Sequence, residues 1–64
     1  MSYKQAQKMA ELGAVVTVII IDSLWHYHNF VYDKEKFPDM SFREFVAHFW
    51  KRFGDDKAAI RFRS

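Results

Sequence analysis

Sixty-four residues with no cysteine leave room for one domain, residues 1–64, and exclude disulfide frameworks and thiolate metal sites. A net charge of +2 is far from a polycation, and with glycine only at 13 and 54 there is no phosphate-binding loop. Half of the residues are hydrophobic and 19% aromatic, a large apolar load for a chain that can bury only about 60% of its surface.

Residues 2–30 read as one long helix. Ser2 and Gln5 have capping-box spacing, and good helix formers run from Gln5 to Leu12. At helical spacing Met9, Val16 and Ile20 share a face with Leu24 and Tyr27. Lys4, Lys8, Glu11, Asp22 and His26 lie opposite, but Val15, Val18 and Ile19 interrupt that polar side. A helix apolar all round must be covered all round, which a two-helix monomer cannot do. The expectation is an all-α helical hairpin completed by homodimerisation, with Met9, Val15, Val16, Val18, Ile19 and Ile20 at the dimer interface.

The same segment supports an alternative. Val15 to Ile21 is an unbroken β-branched run, which favours a strand. An α+β fold would then have a strand at 14–21 and Gly13 closing a helix over 2–12, with partner strands from Trp25–Tyr32 and Ala58–Arg63. The helical reading is preferred because Asp22-Ser23 makes a poor two-residue hairpin turn. The apolar run from Leu12 to Ile21 is also too short to span a bilayer, which takes about 20 residues. Nor does it have the flanks of a secretory signal. The lack of cysteine suits a reducing compartment, so a cytoplasmic location is expected.

Residues 31–40 form a polar connector, followed by a second helix over 41–53. Ser41 and Glu44 form a capping box. Phe42, Phe45, Val46, Phe49, Trp50 and Phe53 make its apolar face, Lys51 and Arg52 suit its C-terminal dipole, and Gly54 stands at the C′ position. A short C-terminal turn completes the chain.

The candidates for chemistry are few. His26 and His28 point apart if helical, so no metal site is expected from them or His48. Asp22, Ser23 and His26 have the residue types of a triad without its geometry, so no enzyme activity and no cofactor are expected. Ten of the twelve aromatics lie between Trp25 and Phe53, which points to a protein-binding module of adaptor or inhibitor type. The connector aromatics lack a period that would commit them to the core. Tyr32, Lys34, Lys36, Phe37 and Met40 are therefore the expected contact surface for an unidentified partner protein, with Trp25 or Trp50 as anchor. The alternative is nucleic-acid binding through Lys51, Arg52, Lys57, Arg61 and Arg63, a basic segment with Phe53 and Phe62 interleaved.

Overall fold

The long first helix does not form. The computed structural model, which describes residues 1–64, has a helix α1 (Tyr3–Glu11), strands β1 (Val16–Ile21) and β2 (Tyr27–Tyr32), a helix α2 (Phe42–Phe53) and a strand β3 (Ala59–Arg63). The strands make one antiparallel sheet in the order β2-β1-β3. The fold is thus α+β, which overturns the all-α hairpin and bears out the α+β alternative.

Local chemistry explains the division. Ser2 caps α1 in a reciprocal box with Gln5. The helix then stops at Gly13, whose φ of +96° costs little only in a residue without Cβ. The β-branched run that follows is stiff at χ1 and packs well on a pleated surface. It takes the central strand, hydrogen-bonded on both sides: Val18 faces Phe30 of β2 and Phe62 of β3. The run is apolar on both faces of β1 although helices cover only one of them, so an all-round apolar run could not by itself separate strand from buried helix. The expected C-terminal turn is also replaced, because Ala59–Arg63 pairs with β1.

Side chains alternate across the sheet. Val16, Val18 and Ile20 point to one face with Phe30, Tyr32 and Phe62, where they share a core with Ala6 and Ala10 of α1 and Phe42 and Phe45 of α2. Both helices lie on this face. The dimer seam expected from helix packing is corrected accordingly: Val16, Val18 and Ile20 are sealed inside the chain's own core. Met9 packs half-buried beside them, and Val15, just before β1, is exposed.

The aromatic surplus is largely absorbed internally. Phe42 lies among Tyr3, Tyr32 and Phe62, with ring centroids 5.4–6.0 Å away. Phe30 stacks on Phe49 at 3.8 Å, and Phe45 meets Tyr32 edge-on at 5.1 Å. Such contacts add to area burial about 0.5–1.5 kcal/mol per pair. The predicted start of α2 stands, with both arms of the Ser41–Glu44 box formed. Gly54 caps α2 with φ of −80°, so its role is not the left-handed one expected. A Cβ there would lie 2.5 Å from the Trp50 ring and 2.6 Å from the Trp50 carbonyl, so only glycine lets the chain turn so close to the helix.

Candidate interaction surface

The face of the sheet opposite the helices has no layer over it. Thr17, Ile19 and Ile21 of β1 run down its middle. Tyr27, Asn29 and Val31 flank them on β2, and Ala59, Arg61 and Arg63 on β3. None of these residues is acidic. Ile19 is only 8% exposed, screened by its neighbours, whereas Tyr27 and Val31 stand open to solvent. The molecule's total surface of 4785 Å² exceeds the roughly 4,300 Å² usual for a monomer of this mass.

At one end of this face the β1–β2 turn carries the two most exposed large side chains near the sheet, Leu24 and Trp25, the latter 76% exposed. The turn is built rather than loose. Asp22 N–H donates to the His26 carbonyl, closing a loop of Ser23, Leu24 and Trp25, and Trp25 N–H donates back to the Asp22 carbonyl. One oxygen of the Asp22 carboxylate accepts from the N–H groups of Leu24 and His26. The other accepts from His28 Nε2 at 2.9 Å. His28 first, then these backbone donors, hold the Asp22 pKa down at about 2. Asp55 braces the turn from the β3 side by accepting from Ser23 N–H. Its carboxyl is also held below the ordinary range, by the N–H groups of Lys57 and Ser23.

Trp25 adopts φ of +65°, the one non-glycine residue of the chain at positive φ. The last residue of such a hairpin loop is ordinarily glycine in this conformation, and an L side chain there costs about 1–2 kcal/mol. A bulky, solvent-exposed ring therefore occupies a strained backbone position. Beside it, Ile21, Lys57, Ala59 and Arg61 line a shallow recess of about 380 Å³.

The residues expected to touch a partner divide among three places. Tyr32 is core, 2% exposed, its hydroxyl donating to the Met40 carbonyl at 2.7 Å. Burial, followed by the nearby carboxylates of Glu11, Asp33 and Glu44, raises its pKa. Phe37 stacks on Tyr32 and leans on Phe45 with one side, and remains 37% exposed on the other. Lys34 and Met40 edge a hollow between the connector and the end of α1, with Lys34 Nζ reaching the Glu11 carbonyl at 3.4 Å; Lys36 is exposed. Trp50 covers Gly54 on the helical layer. Of that set only Trp25 stands at the open sheet face.

The basic residues divide as well. Arg61 and Arg63 lie on the open face and Lys57 at its rim, whereas Lys51 and Arg52 belong to α2 in the other layer. Tyr27, Val31 and Leu24 were missed as surface residues. The legible signal for this face lay on β3, in the alternation Ile60-Arg61-Phe62-Arg63 with its one charged face; no such pattern marks Tyr27, Val31 or Leu24. The histidines also take structural places. His26 Nδ1 lies 3.5 Å from the Asp22 carboxylate, His28 stacks on Phe53, and His48 sits edge-on to Phe49. No group of three or more ligating side chains is arranged to hold a metal ion.

No family model matches the chain, and neither a curated protein nor a solved structure does so. No helix is long and apolar enough to cross a membrane.

Proposed function

We propose that this chain is a small, non-enzymatic protein-interaction module of adaptor or inhibitor type, and that it engages its partner protein through the open sheet face and the Leu24-Trp25 turn. The observation that carries this reading is Trp25, exposed and backbone-strained on a turn fixed by Asp22 and Asp55. Strain of this kind is retained where the surroundings over-determine it, and such places cluster at functional sites. A preorganised tryptophan is also the side chain best suited to dominate an interface. The charge of the face defines the partner's chemistry. Arg61 and Arg63, without an acidic residue beside them on the sheet, suit an apolar patch flanked by carboxylates.

The test uses Trp25→Gly. Glycine fits the left-handed position, so the variant should be as stable as the parent or more stable by about 1 kcal/mol. It should nevertheless lose proteins that the wild-type chain retains from nuclease-treated host lysate. An unchanged set of captured proteins overturns the reading, and a variant that fails to fold makes Trp25 a structural residue.

A second reading is single-stranded nucleic acid on the same face, favoured by Arg61 and Arg63 alongside the exposed Tyr27 ring. It requires binding that weakens steeply with salt and a flatter salt slope when both arginines are changed to alanine. Nuclease treatment of the lysate separates the two readings.

A further inference from the structure

The two edges of the sheet are built differently. Bonded pairs alternate along an antiparallel ladder. Because Asp22 N–H bonds the His26 carbonyl, the pairs Ile20·His28, Val18·Phe30 and Val16·Tyr32 exchange the bonds inside the sheet. Tyr27, Asn29 and Val31 then turn their N–H and C=O groups outward along β2, and no turn, loop or side-chain hydrogen bond reaches them. The β2 sequence Tyr-His-Asn-Phe-Val-Tyr contains no Lys, Arg, Asp, Glu, Pro or Gly. It has none of the usual devices that stop an edge strand from pairing.

The opposite edge has them. Arg61 and Arg63 alternate along β3, and the Arg61 guanidinium donates to the Ile60 carbonyl at 3.2 Å, occupying an acceptor that a further strand would need. Two β3 edges brought together would also set arginines against each other.

We propose that two copies of this chain pair antiparallel through their β2 edges, with Asn29 opposite its own counterpart on the twofold axis, to make one continuous six-stranded sheet. This register is the one in which the outward groups of Tyr27, Asn29 and Val31 all find partners, each bonded pair exchanging both of its hydrogen bonds. It sets Tyr27 against Val31 of the second copy twice over, an aromatic–β-branched pairing that stabilises sheets. No charged side chain of β2 meets another. Helix α2 rests against both β1 and β2. The two α2 helices would therefore lie about 10 Å apart across the axis, an ordinary helix–helix spacing. The open faces of both copies would fall on the same side of the joined sheet, doubling the surface that carries Trp25, Arg61 and Arg63.

The absence of native cysteine makes the register directly testable. Opposed residues of a bonded pair lie about 5.5 Å apart at Cα, within disulfide range. Asn29→Cys should therefore form an interchain disulfide readily under mild oxidation. In the same register Tyr27 is offset from its own counterpart by about 13 Å along the strand, so Tyr27→Cys should stay uncrosslinked. The wild type should sediment as a dimer of the 7.7 kDa chain at about 100 µM, and Val31→Lys should weaken association at least tenfold. Val31→Pro removes an outward N–H only, so it should do the same while the circular dichroism spectrum stays native. A folded wild-type monomer at that concentration overturns the proposal. So does crosslinking of Arg61→Cys as efficient as that of Asn29→Cys, which would place the contact on the open face or at β3.

Discussion

The two faces of the sheet share strands, backbone and solvent, yet they are solved by opposite means. The helix-covered face is filled with interlocking aromatic rings, and its buried side chains leave no polar atom without a partner. The open face has a single well-screened residue, Ile19, and around it flexible arginines, a tyrosine and a valine that stay wet. One face holds the molecule together and the other is spared that duty. Substitutions should accordingly sort by residue parity within the strands, even numbers costing stability and odd numbers costing association or binding, with the screened Ile19 the exception that costs stability too.

The largest contrast should come from Phe42→Ala. Its ring is enclosed by Tyr3, Tyr32 and Phe62, and truncation at such a site costs about 3–5 kcal/mol, enough to unfold much of a domain this small. Arg61→Ser on the open face should stay within about 0.5 kcal/mol of wild type. Urea titrations of both variants measure the difference, and similar losses would show that the open face also carries structural weight.

Gly54→Ala should cost about 1–3 kcal/mol through overpacking, because the new methyl meets both the ring and the carbonyl of Trp50. A midpoint in urea equal to wild type would mean that the end of α2 gives way freely.

The smallest effect concerns the acid side of pH. The folded-state pKa of Asp22 is depressed from 3.8 to about 2. The stability this contributes is complete above 3.8 and is lost as pH falls through about 2. The amide signals of Leu24 and His26, followed by NMR, should move across that interval, and Asp22→Asn should remove the transition. No shift of those amides before global unfolding would disconnect the carboxylate from the turn.

Sequence alone reached the starts of both helices and the end of α2, because capping is local: Ser2 with Gln5 and Ser41 with Glu44 do what their spacing indicates. The end of α1 at Gly13 belongs to the α+β alternative only, since the preferred reading runs that helix on to residue 30. Sequence alone failed between residues 14 and 32 because that outcome is non-local. Whether Val15–Ile21 coils or extends depends on Phe62 and Phe30 arriving on either side. The hairpin was set aside on the premise of a two-residue turn. The loop is longer, and Trp25 itself takes the left-handed position usually reserved for glycine. Tyr32 and Phe37 together obey no helical or strand period, so their contacts with the second helix at Phe45 are not legible in the sequence; Tyr32 is buried there and Phe37 half-covered.

The order in which the strands join has a consequence for how the chain is made. Synthesis delivers β1 and its neighbour β2 early, but the other side of β1 waits for Ala59–Arg63. Until then the Val-Thr-Val-Ile-Ile-Ile strand presents a naked, sticky flank, the kind of segment that seeds cross-β association between neighbouring chains on a polysome. Because the five residues of β3 are the last of these elements to be made, β1 is covered on that side only after they leave the ribosome, and a chain cut short before Ala59 would keep this flank open to its neighbours.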